Sequence, residues 1–284
     1  MDRFSKYNPK STFLFFLCVI LLTIIIMHPV YLALSLLSGF IYKLILQGKK
    51  AFSYLFKFIL PLILFISVFN FIFAHYGDTV LFAFRNIYFT FESLFYGFCQ
   101  GMMVAGVIVW FSDYSIVITS ERFLSVFGKI APNTAMIFSS VLSFIPRMEK
   151  NYREIRDARK LLDEKNGKFK SALNVFSSVI TMTLEDTISL GDSMKARGFS
   201  SKRKVYSKYR FNAKDFLLLF ISLSIFIVLC IFKITSSLTF IFELVTEMGD
   251  LLLLPLVLHS LLVFLPVIID FWEDIKWRTL KRKI

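Results

Sequence analysis

Six runs of this chain are long, apolar and nearly free of charge, near residues 13–27, 30–46, 57–74, 94–112, 215–232 and 251–271. About 20 helical residues cross a hydrocarbon core of roughly 30 Å. Inside that core the backbone must satisfy its own hydrogen bonds, which leaves helices or closed barrels. The runs therefore predict an all-α polytopic membrane protein with about six transmembrane helices, its natural partner being the lipid bilayer. Composition agrees, since 56% of the 284 residues are hydrophobic and 35 are Phe, too apolar for a water-soluble domain. The first two runs meet at His28-Pro29, where proline cannot continue a helix. Two crossings joined by a tight turn, or one tilted or re-entrant element over 13–46, both fit that sequence.

The net charge of +13 is unevenly placed. Basic residues gather at Arg3, Lys6 and Lys10, at Lys43, Lys49, Lys50 and Lys57, through 147–214, and at Lys276, Arg278, Lys281, Arg282 and Lys283. Residues 75–93 and 234–250 carry few. Six crossings with both termini in the cytoplasm put every basic cluster on the inner side, as the positive-inside rule requires. Orientation and anionic headgroups thus account for the charge, and nucleic acid is not an expected partner. The apolar opening is followed at once by a second apolar run and shows no small-residue cleavage site, unlike a signal peptide. Cys18, Cys99 and Cys230 all fall in apolar segments and read as small hydrophobes.

Three zones follow: a transmembrane bundle over 1–112, a cytoplasm-facing region over 113–214, and a transmembrane pair with a basic tail over 215–284. Within 94–112, Ser93, Gly97, Gly101 and Ala105 recur every four residues. They form one slim ridge, on which helices approach closely in lipid. The ridge serves either a contact within this chain or the docking of another membrane protein. From Arg147 to Arg159 a basic residue stands at every third position, interleaved with acids, while Met148, Tyr152, Ile155, Ala158 and Leu162 make the apolar stripe of an amphipathic helix. Glu149 with Arg153, and Arg159 with Asp163, are spaced to pair on its surface. Asn166-Gly167-Lys168 marks its end. A second helix is predicted over about 171–195, with Glu185 and Asp186 in it and Gly198 as its stop. Lys195 and Arg197 suit the negative end of its dipole.

Catalytic and metal constellations are missing. There is no G-x-x-x-x-G-K-[ST], no H-E-x-x-H and no G-x-S-x-G, so neither an enzymatic activity nor a cofactor is expected. His28, His75 and His259 are scattered. His259, in the last crossing, is either a hydrogen-bonded structural residue or a proton or ligand site. Asp270 lies near the interface. What remains is a repeated ending: Arg156-Asp157-Ala158-Arg159 and Lys195-Ala196-Arg197-Gly198. Alanine keeps a helix tip slim, and arginine supplies a rigid fork of donors that captures carboxylates bidentately. Such a tip suits insertion into a groove on a partner. Capping a helix end against lipid phosphate is the plainer reading of either arginine alone.

The stretch from about Thr90 to Phe211 resembles the transmembrane T component of energy-coupling-factor transporters, the vitamin and metal importers of prokaryotes. The residues carrying the likeness are Phe91-Glu92-Ser93-Leu94-Phe95-Tyr96-Gly97, Trp110-Phe111 and Phe144-Ile145-Pro146-Arg147, then Ile155-Arg156-Asp157-Ala158-Arg159, Leu184-Glu185-Asp186 and Asp192-Ser193-Met194-Lys195-Ala196-Arg197-Gly198-Phe199. The resemblance implies that the two middle helices are cytoplasmic coupling helices. Their tips, Ala158-Arg159 and Ala196-Arg197-Gly198, would dock into a pair of ABC-type ATPase subunits. It also implies a separate membrane-embedded S component that binds a vitamin or other micronutrient, and a multi-pass location in a prokaryotic cell membrane. The first signature departs from the second, because Lys160 follows its arginine where Gly198 follows the other. A dedicated cobalt or nickel importer uses a similar T component. From another class, an autonomous secondary transporter would need inverted repeats, paired helix breaks and midplane charges. Pro61 and Pro255 are the interruptions noted in the crossings.

Overall fold

In a computed structural model of the chain, the described residues are 4–74, 79–84, 87–128, 132–161, 168–198, 209, 211–235 and 253–281. They form ten α-helices and one short hairpin. The contacts divide the chain into two compact units, residues 1–122 with 209–284, and residues 123–208.

In the first unit the first two apolar runs are separate helices, α1 (Pro9–Ile25) and α2 (Pro29–Gln47). Pro29 occupies the first turn of α2, where its missing N–H costs nothing. Next come α3 (Lys50–Tyr54), a π turn (Leu55–Ile59) and α4 (Leu60–Phe73). The π turn ends two residues before Pro61, whose absent donor breaks the regular ladder. A hairpin of β1 (Val80–Phe84) and β2 (Ile87–Thr90) pairs Val80 with Thr90 and Phe84 with Ile87. It leads into α5 (Phe91–Val117) and the short α6 (Ser120–Phe127), whose last residues belong to the second unit. The unit closes with α9 (Ala213–Thr235) and α10 (Leu253–Lys281), the latter carrying Pro266 in its interior besides Pro255 near its start.

Five helical stretches are long and apolar enough to cross a membrane: Pro29–Gln47, Lys50–Phe73, Phe91–Val117, Ala213–Thr235 and Leu253–Trp272. The chain is a multi-pass membrane protein by that measure. The remaining run, α1, has 17 residues, about 26 Å at 1.5 Å per residue. It lies against α2, α5 and α9, with Phe15, Phe16, Val19 and Leu22 wholly buried. Its opposite face, with Leu17, Leu21 and Ile24, is exposed. Polar side chains tie this core together: Trp110 Nε1 donates to the Ser35 carbonyl at 3.2 Å and its hydroxyl at 3.1 Å, and Ser38 Oγ donates to the Val263 carbonyl at 2.7 Å.

One end of this unit joins residues 4–8 to the start of α9 and to Asp270 of α10. Phe4 is buried against Phe15, Phe16 and Tyr42, and its N–H donates to Asp270 Oδ1 at 3.3 Å. Asp215 accepts the Asn8 N–H at 2.8 Å and the Asn212 N–H at 2.9 Å, capping α9 while fastening the start of the chain. Asp270 is thus a buried strut and not an ordinary interfacial charge. Helix packing sequestered it, which its position near the end of an apolar run did not reveal. At the far end of α9, the Lys233 ammonium donates to the Ile25 carbonyl, closing the C-terminus of α1.

The second unit is a pair of long helices, α7 (Pro132–Leu161) and α8 (Lys168–Ala196). The amphipathic helix predicted from Arg147 begins instead at Pro132 and runs through Pro146. Ile137, Val141 and Ile145 repeat every four residues ahead of that proline and carry the helical period across it. Leu162, Asp163, Asn166, Gly167, Phe199 and His75 lie outside the described residues.

Candidate partner-docking site

From Arg147 to the end of α7 the half-buried or buried residues are Met148, Asn151, Ile155 and Arg159, steps of three and four that define one helix face. Tyr152 and Ala158, from the predicted apolar stripe, are exposed instead. In α8 the corresponding face is Val175, Ser178, Val179, Thr183, Asp186, Leu190 and Met194. Asn151 on α7 and Val175 and Val179 on α8 are the most buried of these, and α7 packs directly on α8.

Arg159 Nη2 donates to Ser178 Oγ at 3.1 Å. Ser178 lies ten residues into α8 (178 − 168), about 15 Å from its start at 1.5 Å per residue. A helix simply folded back would bring the last turn of α7 to the first turn of α8. Arg159, near the end of α7, instead reaches a point ten residues into α8. The other tip is built by a different device. Arg197 N–H donates to the Ser193 carbonyl at 3.2 Å, Gly198 N–H to the Lys195 carbonyl at 2.9 Å, and Gly198 has φ of +73°. A side chain at that φ is strained, so glycine terminates α8 there. Ala196 and Arg197 are exposed and Gly198 is half-buried. The 19 residues from Ser178 to Arg197 (197 − 178) separate the two tips by roughly 28 Å along α8.

The acids of α7 have local partners: Glu149 with Arg153, Glu154 with Lys150, and Asp157 with both Arg156 and Lys160. Exposed ion pairs of this kind contribute little stability, and with six basic residues against three acids α7 stays net positive. Apolar side chains also face outward on both helices, among them Phe138, Ile145, Phe176, Leu184 and Ile188.

In the first unit the small-residue ridge packs against α4. A Cβ on Gly97 would meet Asn70 Cβ at 2.6 Å and the Ser67 carbonyl at 3.0 Å; one on Gly101 would meet the Ile63 carbonyl at 3.0 Å. Ser93 Oγ donates to the Asn70 carbonyl at 3.3 Å, and Ala105 is buried with Ile59, Ile63 and Val109. The same helix pair is joined by Asn70 Nδ2 donating to Gln100 Oε1 at 2.7 Å.

Two constellations that sequence reading missed are in this unit. Lys43 Nζ donates to Ser112 Oγ at 2.6 Å, stands 3.5 Å from Asp113 Oδ1, and lies 4.1 Å from the centre of the Tyr54 ring. Both charges are almost fully buried. A lone aspartate in an apolar run was the available signal. Tyr31, for its part, brings together two histidines that are distant in sequence, with ring centres 5.4 Å from His28 and 5.2 Å from His259. Among the described residues no group of three or more His, Cys, Asp or Glu could hold a metal ion. Comparison of the chain with protein-family models and with curated proteins yields no match.

Proposed function

We propose that this protein is the transmembrane energy-coupling subunit of an ABC-type importer of the energy-coupling-factor kind. In this reading it links ATP hydrolysis by two partner ATPase subunits to uptake of a vitamin or other micronutrient held by a separate S component. The observation that carries the reading is the pair of Ala-Arg tips on one packed helix pair, roughly 28 Å apart along α8. Tips so far apart suit two grooves on two subunits better than one binding cleft. Closure of an ATPase pair on nucleotide would draw the tips together, and the helices would carry that motion to the membrane as a two-state element. The outward apolar side chains of α7 and α8 supply a surface for the S component or for lipid. Both termini and the basic clusters face the cytoplasm in this scheme, in a prokaryotic cell membrane.

An autonomous secondary transporter is less well supported. Its charges would sit at the membrane midplane, whereas Lys43 and Asp113 each lie four residues before the end of their helix (47 − 43 and 117 − 113). The test is co-purification of the tagged protein from its own cells, followed by identification of the retained proteins. The expected set is two ATPase polypeptide chains and a small hydrophobic protein. The double variant Arg159→Glu/Arg197→Glu places carboxylates where donors are needed and should release the ATPases. Full retention of the complex and of uptake by that variant contradicts the proposal.

A further inference from the structure

We infer that Ser178 is a positioning residue that sets the place of the first tip, and hence the spacing of the two docking points. This rests on the reading of Arg159 and Arg197 as docking residues. Ser178 Oγ donates its proton to the Asn174 carbonyl at 3.0 Å. With that proton committed, the oxygen presents lone pairs outward, and Arg159 Nη2 donates to it at 3.1 Å. The acceptor is therefore oriented before the arginine arrives, on the rigid frame of α8, at a half-buried point beside Val175 and Val179.

Two consequences separate the tips. Arg197 takes its place from the chain end of α8 itself, through Gly198 at positive φ. Arg159 is on a different helix, and its place relative to Arg197 depends on a contact between helices. The guanidinium has five donors, and the Ser178 hydroxyl takes one of them. A serine hydroxyl serves this better than a carboxylate would. An acid at position 178 would engage the fork bidentately and hold it inside the unit.

The test uses the full-length protein in lipid nanodiscs with the three native cysteines replaced by alanine. Spin labels at Lys160→Cys and Lys195→Cys report the distance between the tips. Unlabelled protein is assayed in parallel for capture of its co-purifying ATPase pair. The expected result is a narrow distance distribution in the parent, a broad one in Ser178→Ala, and recovery in Ser178→Thr, which keeps the hydroxyl and its bond to the carbonyl four residues back. Capture should weaken about three- to tenfold in Ser178→Ala, the loss of one charge-assisted hydrogen bond at a half-buried site, and return in Ser178→Thr. Ser178→Asp should keep the distribution narrow while capture falls further. An Ala variant as narrow as the parent, or a Thr variant as broad as the Ala variant, overturns the inference. If the distances respond as expected but neither Ser178→Ala nor Arg159→Glu/Arg197→Glu alters ATPase capture, the positioning holds and the docking reading fails.

Discussion

At the scale of single residues, the contact of greatest consequence for the first unit is the Lys43–Asp113 pair. Two charges are moved out of water at a cost of several kcal/mol each, and among the described residues no hydrogen bond to the Asp113 oxygens offsets it. Their mutual attraction, the Ser112 hydroxyl and the Tyr54 ring are the compensation. Removing one partner strands the other. Lys43→Met should lower the unfolding free energy by about 3–5 kcal/mol, read from denaturant titration in detergent. Lys43→Met/Asp113→Leu should recover most of it; a double variant no better than the single would mean that the charges matter singly, not as a pair. Lys43 looked like one member of a basic cluster in the sequence, and nothing in its neighbourhood told that it turns inward. Asp113 was the readable half of the pair.

Among elements, α4 and α5 are the tightest contact in the first unit, and its geometry follows from residues without side chains. The backbone of α5 comes so near Ser67 and Asn70 that a methyl group at position 97 has no room. Gly97→Ala should destabilise the helix pair by about 1–3 kcal/mol, the usual cost of overpacking. Gly101→Ala should cost less, since its nearest neighbours stand at 3.0 Å rather than 2.6 Å. Thermal unfolding of both variants in the same detergent decides the order, and a neutral Gly97→Ala speaks against this packing. The spacing of small residues was plain in the sequence, because helical period alone aligns them. Which helix they meet was not, since a ridge of this kind fits any slim partner. The face of α7 shows the same division. Periodicity predicted a helix, yet Asn151 rather than Tyr152 is buried, because the neighbour's position decides which side is covered.

Over the whole first unit, residues 4–8, the start of α9 and the second half of α10 meet at one end. Arg122 and Tyr209, where the chain leaves and rejoins this unit, are themselves in contact, the guanidinium lying 5.8 Å from the ring centre. The turn between α1 and α2 is at the other end, across a helix length. A membrane-impermeant maleimide should therefore label Lys6→Cys and Met27→Cys from opposite faces of intact cells or sealed vesicles. The proposed orientation further requires that Lys6→Cys be reached from the cytoplasmic face only. Labelling of both from one face contradicts the helix count between them, and reversed faces contradict the orientation alone.

The amino-acid sequence by itself determined a helical multi-pass protein, the apolar runs, the break at His28-Pro29 and the stop at Gly198, because each depends on local period, proline geometry or the freedom of glycine at positive φ. Tertiary structure alone decided which face of α1 is covered, that Asp270, Asp215 and the Lys43–Asp113 pair are buried, and that Arg159 rests on Ser178, ten residues into α8. Those outcomes hang on contacts between residues far apart in the chain, whose partners no local pattern names. For the repeated Ala-Arg endings, the two arginines are alike in sequence and unlike in support: one is placed by its own helix end, the other by a serine on its neighbour.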